Sequence, residues 1–256
     1  MEQYRWTKEQ TIVAFNLYCK IPFNRVSSNH PDIIKIARII GRSTNSVKMK
    51  IGNFGSFDFE LKSRGIVGLI NTSKLDKEVW DEFNSNWDKL AYESEILIAK
   101  FNNQNIEEYI EKIENTNFPI GQERAVTIKQ RVNQYLFRNT ILSAYNNSCC
   151  ITGINIPALL IASHIVPWSK DEKIRLNPHN GLCLNAIHDK AYDRGLISIT
   201  PDYNIKISKQ LLNEKSDEAI KNIFIYYQNS KIRIPERFVP NKEYLDYHYS
   251  EIFEKY

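Results

Sequence analysis

Residues 159–195 constrain the fold of this chain more than any other stretch. Leu159-Leu160-Ile161-Ala162 predicts a short strand, and Ala162-Ser163-His164-Ile165-Val166-Pro167-Trp168 closes it on a histidine. Asn180-Gly181 ends the loop that follows, and Leu182-Cys183-Leu184-Asn185-Ala186-Ile187-His188-Asp189 brings a second histidine early into a helix. Taken singly, a histidine at a strand end is more often packed or solvated than chemical, and Asn-Gly is usually a turn. Their order, together with Pro167-Trp168 and the closing Asp193-Arg194-Gly195, argues for one built unit.

The 256 residues suit one large or two modest domains, each able to bury a core. A hydrophobic content of 42% and an aromatic content of 12% belong to a folded chain. The net charge of +4 is a mild excess that by itself names no partner. No apolar run approaches the length that spans a bilayer, so no membrane role is expected. Met1-Glu2-Gln3-Tyr4-Arg5-Trp6 does not read as a signal peptide. Cys19, Cys149, Cys150 and Cys183 form no CxxC pair and indicate neither a zinc finger nor a disulfide framework. Adjacent Cys149-Cys150 read as one packed and one partly exposed thiol, and the whole as a cytoplasmic, reduced protein.

Towards the N-terminus, Thr7-Lys8-Glu9-Gln10 has the form of a capping box. Ile12, Val13, Phe15 and Leu17 supply the apolar side of a helix that Pro22 ends. A second helix starts at Pro31, a favoured first-turn residue, and turns Ile33, Ile36, Ala37 and Ile40 inward until Gly41 stops it. Ser43 caps a third, with Val47, Ile51 and Phe54 at helical spacing. Helix, glycine turn, helix is the outline of a helix-turn-helix unit. The face opposite Val47, Ile51 and Phe54 carries Asn45, Lys48, Met49 and Gly52, with Lys50 on the flank. Alone, this is as well read as a helical hairpin with solvated lysines.

Residues 56–73 read as loop-rich, and 76–97 as helix with Val79, Phe83, Trp87 and Leu90 buried. From 101 to 122 the chain turns Asn- and Glu-rich and ends in Asn117-Phe118-Pro119-Ile120-Gly121, which marks a domain boundary. The organisation expected is a helical domain over 1–105, a linker over 106–122 and a second domain over 123–256. That second domain opens on a helix from about 125 to 145, with Arg131, Gln134 and Arg138 on adjoining turns and Val132, Tyr135, Leu136 and Leu142 packed. Cys149-Cys150-Ile151-Thr152-Gly153 reads as a turn.

The stretch from Arg124 to Ile199 resembles the HNH (ββα-metal) endonucleases. Ala-Ser-His-Ile-Val-Pro-Trp, Asn-Gly-Leu-Cys-Leu-Asn and Ala-Tyr-Asp-Arg-Gly-Leu-Ile are similar to a restriction-endonuclease branch of that family. The run Arg131 to Arg138 and the later Leu245-Asp246-Tyr247-His248 look like the flanks of that branch. The resemblance implies an α+β chain: a helical N-terminal domain with a helix-turn-helix-like unit, then a ββα-metal nuclease domain of two strands and a helix around a cation. It implies a metal-dependent endonuclease hydrolysing the phosphodiesters of double-stranded DNA, restriction-type and modification-dependent in one form. His164 is then the general base, Asn180 the motif asparagine that holds the loop and orients the base, and His188 the second motif histidine.

The ligands of the divalent cation stay open. The position before the base is often Asp or His in the wider family and is Ser163 here, a poor ligand for Mg²⁺ or Mn²⁺. On the helix, motif naming favours His188, whereas geometry favours Asp189 with Asp193, because residues four apart share a face. A carboxylate pair suits Mg²⁺ or Mn²⁺, and a histidine ligand suits Zn²⁺, Ni²⁺ or Mn²⁺. Asp193 has the alternative of bonding the Arg194-Gly195 turn. With a nuclease signature attached, the helix-turn-helix reading gains: Arg38, Arg42, Asn45, Lys48 and Lys50 then face DNA, and Arg131 and Arg138 grip phosphates. One ββα unit cuts one strand, so a double-strand break needs a homodimer or two nicks. The rival readings are a non-catalytic DNA-binding protein on a degenerate HNH scaffold, and a nuclease of structured RNA or a toxin. Tyr247-His248 reads as packing or a phosphate contact rather than a ligand.

Overall fold

Thr7 and Gln10 close a reciprocal capping box, side chain to backbone in both directions, at the start of helix α1 (Lys8–Lys20). The computed structural model describes residues 5–66, 68–69, 72–114, 123–214 and 216–255. The chain divides into two compact units, residues 1–140 and 141–256.

In the first unit α1 is the central helix: Ile12 through Cys19 are all buried. It packs against α2 (Pro31–Ile39), α3 (Thr44–Gly55), α5 (Lys74–Phe83) and α6 (Trp87–Phe101), while a short α4 (Phe59–Ser63) follows α3. Each start is set by its own sequence: Pro31 at the first turn of α2, the Ser43 hydroxyl on the Ser46 amide for α3, and a Ser73–Asp76 capping box for α5. Phe15, Tyr18, Phe54 and Trp80 form an aromatic cluster between α1, α3 and α5, with ring centroids 4.9 to 5.9 Å apart.

In this region one reading is refined and one corrected. The stretch 56–73 is not all loop: Asp58 accepts from the Glu60 and Leu61 amides and starts α4, its other oxygen taking the Tyr18 hydroxyl at 2.6 Å. The single helix read over 76–97 is two, because the Asn86 side chain caps the Lys89 amide and starts α6 afresh. A helix α7 (Ile106–Glu114) lies within the stretch read as linker, and residues 117–121 lie outside the described residues. Helix α8 (Glu123–Ala144) follows.

The second unit is built on two antiparallel pairs. β1 (Leu160–His164) pairs with β2 (Gly181–Asn185), and β3 (Ile197–Ile199) with β4 (Ile205–Ile207). Helix α9 (Ala186–Asp193) begins directly after β2 and packs on β1, β2 and β3. Then come α10 (Lys209–Asn213), α11 (Glu218–Ile223) and α12 (Lys242–Glu251), the last packed on β3. His248 fastens α12: it is 1% exposed, takes the Ser198 hydroxyl on Nδ1 at 2.8 Å and gives its Nε2 proton to the Tyr192 carbonyl at 3.1 Å. Its ring lies flat on Tyr192, 3.6 Å between centroids. It is a packing residue. Cys149 and Cys150 are both buried, so the partly exposed thiol read at this pair is corrected. The turn that carries them bonds Cys150 N–H to the Cys183 carbonyl of β2 and so holds both inside.

Candidate active site

His164 is the last residue of β1 and stands opposite Gly181, with Ser163 opposite Leu182. Asn180 prolongs this ladder by one rung. Its carbonyl accepts from Ile165 N–H at 3.0 Å, and its side chain meets Val166 both ways, Oδ1 accepting at 2.8 Å and Nδ2 donating to the carbonyl at 3.1 Å. A side-chain amide here does what a neighbouring strand's peptide would do, and Asn180 is fully buried. The reading that this amide orients His164 directly is therefore corrected. Its groups go to loop backbone, and it acts on the histidine only through the loop it holds.

Arg175, on that loop, meets His164. The ring Nε2 lies 2.9 Å from the Arg175 carbonyl. A carbonyl only accepts, so Nε2 carries the proton, and Nδ1 bears the lone pair of the neutral ring. Burial lowers the His164 pKa, and the Arg175 carbonyl opposes it only in part. The ring is consequently in its basic form at neutral pH. The Arg175 side chain reaches back to Trp168, Nε donating to its carbonyl at 2.7 Å while the guanidinium stands 5.3 Å from the indole centroid. Trp168 in turn meets the His164 ring edge-on, 5.3 Å between centroids. His164, Trp168 and Arg175 thus form a closed circuit of contacts. Sequence reasoning missed Arg175, since a backbone carbonyl acceptor leaves no mark in residue type.

His188 has a separate set of partners. Asn185 caps α9, its Oδ1 accepting from the Ile187 and His188 amides at 3.1 and 3.0 Å. The same side chain's Nδ2 donates to His188 Nδ1 at 2.8 Å, and His188 Nε2 donates to the Ile223 carbonyl at 2.9 Å. Phe224 and Tyr227 meet the ring, and His188 is 2% exposed. Both ring nitrogens are therefore occupied, and this geometry corrects the reading of His188 as ligand or catalytic group. The signal for Asn185 was present in the sequence: Asn directly before a helix is a favoured cap.

Asp189 and Asp193 lie one turn apart on α9. Burial raises the Asp189 pKa, and the neighbouring Ser163 hydroxyl and Lys190 draw it back in part. Asp193 is a surface residue, yet partial burial of its carboxyl and the charge of Asp189 raise its pKa too. The Ser163 hydroxyl is buried and makes no bond of full hydrogen-bond geometry, although it lies close enough to Asp189 to act on it. Among the described residues no group of three or more His, Cys, Asp or Glu side chains is placed to hold a metal ion. Two carboxylates suffice for one kind of ion. Mg²⁺ is commonly held by one or two carboxylates, with water and phosphate oxygens completing its shell. Two oxygen donors that repel one another, beside a hydroxyl lacking a good partner, fit such an ion. They offer no nitrogen or sulfur donor, the ligands that fill most structural Zn²⁺ sites.

In the first unit, Arg38, Asn45 and Lys48 are exposed. Two others are held by partners within the unit. Lys50 is 5% exposed, ion-paired with Asp76 and 4.6 Å from the Trp6 ring centroid, which corrects its reading as a phosphate contact. Arg42, half-buried, donates to Gln10 Oε1 at 3.1 and 2.8 Å and to the Arg5 carbonyl, and stands 5.2 Å from the Trp6 ring centroid. On α8, Arg138 is exposed and Arg131 half-buried.

An antiparallel strand pair leads without a break into a helix, with a histidine bonded to a main-chain carbonyl at the first strand's end, a ββα arrangement. Residues 149–200 match the HNH endonuclease family, so the C-terminal half carries an HNH domain. No curated protein matches the chain. An HNH domain points to a nuclease, and a nuclease domain implies nucleic-acid binding. Among the described residues no helix is long and apolar enough to cross a membrane.

Proposed function

We propose that the protein is a metal-dependent endonuclease of double-stranded DNA, of restriction type. The observation that carries this reading is the His164–Arg175 bond, which leaves a basic Nδ1 on a neutral ring at the edge of the ββα unit. His164 takes the proton of the attacking water. Trp168 and Arg175 hold its ring in the productive tautomer and orientation, and Asn180 holds the loop that carries them. Asp189 and Asp193 would hold a divalent cation, Mg²⁺ or Mn²⁺. When bound, that ion supplies positive charge for the scissile phosphate and the leaving 3′ oxygen. His188 is a structural residue of α9 in this reading. A homodimer would place two such centres on the two strands of a palindromic site.

The test is cleavage of supercoiled plasmid, methylated and unmethylated, with Mg²⁺, Mn²⁺, Ni²⁺ or EDTA, comparing wild type with His164→Ala. Discrete metal-dependent fragments lost in the variant support the reading, and the methylation contrast assigns modification dependence. Binding without cleavage under every metal refutes it in favour of a DNA-binding protein on a nuclease scaffold. Cleavage of structured RNA with duplex DNA left intact refutes the substrate.

A further inference from the structure

Helix α3 is open along half of one face and closed along the other half. Over its C-terminal half the chain returns as residues 68–69. The Leu69 amide points at the Gly52 carbonyl at 3.4 Å, and the Leu69 side chain lies where a Cβ on Gly52 would be in contact, also at 3.4 Å. Gly68 is in backbone contact with the helix: a Cβ there would stand 2.2 Å from Ser56 N and 2.7 Å from Gly52 O. Only glycine allows that approach. The N-terminal half keeps an exposed face. Asn45 and Lys48 are exposed, and Met49 keeps 59% of its surface in solvent.

Charge selects what this open half meets. Between Asp32 and Asp58 the sequence holds Lys35, Arg38, Arg42, Lys48 and Lys50 and no acidic residue. Arg42 and Lys50 are drawn against Trp6, and Trp6 Nε1 donates to Ser46 Oγ at 3.2 Å, so the N-terminal segment braces α3 from the flank. Lys35 and Arg38 on α2, across the positive-φ turn at Gly41, remain exposed. The result is a braced helix whose N-terminal half exposes Asn45, Lys48 and Met49, beside a second helix that exposes Lys35 and Arg38, with its one carboxylate, Asp32, in the first turn.

We infer that the N-terminal half of α3 enters the major groove of duplex DNA, where Asn45, Lys48 and Met49 meet base edges and Lys35 and Arg38 meet phosphates. The major groove admits one α-helix, and in helix-turn-helix units the first residues of the second helix reach the bases. Asn45 has the donor and acceptor that match adenine N7 and N6, Lys48 the donors for guanine O6 and N7, and Met49 the apolar end for a thymine methyl. Phosphate contacts set register and affinity, and base contacts set sequence. Only the choice of duplex DNA rests on the nuclease reading above.

The test is selection from a random-sequence duplex DNA library by the full chain carrying His164→Ala, repeated with Asn45→Ala and Met49→Ala together, with Lys48→Ala, and with Arg38→Ala. His164→Ala enriches a defined motif. Asn45→Ala with Met49→Ala, and Lys48→Ala, each relax it at particular positions, with preference there falling about ten-fold or more. Arg38→Ala weakens binding to all sequences alike and reduces the salt slope by about one. An unchanged motif in the α3 variants overturns the inference, as does enrichment of no duplex at all. Failure of the nuclease reading looks different: wild type then selects the same motif but cuts nothing with any metal. Circular dichroism of each variant separates loss of contact from loss of fold, and loss of fold in all of them overturns the claim that these side chains are free of packing.

Discussion

Replacing Arg175 by alanine removes one side of the circuit around His164 while leaving the carbonyl that bonds its ring. Two interactions go. The Nε–H bond to the Trp168 carbonyl, at 2.7 Å, has a charged donor, and such bonds contribute about 1.5–3 kcal/mol. The guanidinium over the indole adds about 0.5–1 kcal/mol at a site partly open to water. The Arg175 side chain keeps 26% of its surface exposed, so the lower ends apply, together about 2 kcal/mol. The ion pair with Glu172 adds nothing to this, because Glu172 is 83% exposed. If the loss falls on the placement of the base, about 2 kcal/mol is about 30-fold in the rate of the chemical step. Loss of the base itself in His164→Ala costs about 100- to 10,000-fold. Arg175→Ala should therefore lie between wild type and His164→Ala.

Single-turnover plasmid cleavage at saturating metal reads the chemical step, and KM against kcat separates placement from grip. The decisive variant is the double one. If Arg175 acts through His164, then His164→Ala with Arg175→Ala cuts no more slowly than His164→Ala alone, since the positioned group is already gone. If the two losses multiply, Arg175 is touching the phosphate instead, and the positioning argument is wrong. Arg175→Lys keeps a cation over the ring but has no Nε–H in the same place, so it should recover only part of the rate.

His188 and Asp189, neighbours in sequence, should separate cleanly. His188→Ala breaks two buried hydrogen bonds and opens a cavity beside Phe224, so it should cost the C-terminal unit about 2–4 kcal/mol while Mn²⁺ binding by the folded protein survives. The reverse pattern, an unchanged melting temperature with lost Mn²⁺ binding by calorimetry, would make His188 a ligand after all. Asp189→Asn should weaken Mn²⁺ binding and yet leave the apo protein as stable or more so, because the raised pKa of Asp189 marks a carboxylate disfavoured by folding. A lower apo melting temperature contradicts that sign. His248 sets a pH dependence: burial lowers its folded pKa to about 4, while the unfolded chain titrates near the ordinary 6.5. Its contribution is complete above the unfolded value and falls as pH drops through the window between the two, by about 1.4 kcal/mol per pH unit and about 3 kcal/mol in all. His164 and His188 are lowered too and add with the same sign. Denaturant titrations across that window should show the decline, and His248→Gln should flatten it; equal slopes in both proteins refute the assignment.

What the sequence disclosed follows the range of each interaction. The capping box at Thr7, the proline at the start of α2 and the Ser43 cap act within three residues, so they could be read directly. The break between α5 and α6 could not, because apolar spacing continues through Asn84-Ser85-Asn86 and only the Asn86 cap resets the helix. Helix α4 was hidden for a related reason: its five residues depend on Asp58, which is itself fixed by Tyr18 of α1. At the site, helical spacing already opposed Asp189 and Asp193 to His188, and the structure divides the two sets along that line. Lys50 was misjudged because a lysine on a helix flank looks solvated until Asp76 and Trp6 are folded against it. Asn180 was misjudged by one step only, since its amide serves Val166 rather than His164. The larger omission, Arg175, has a single cause. The group that selects the histidine tautomer is a main-chain carbonyl eleven residues away. Any residue offers a carbonyl, so the sequence marks the base but not what aims it. Only the guanidinium that anchors the same residue to Trp168 makes this position chemically distinct.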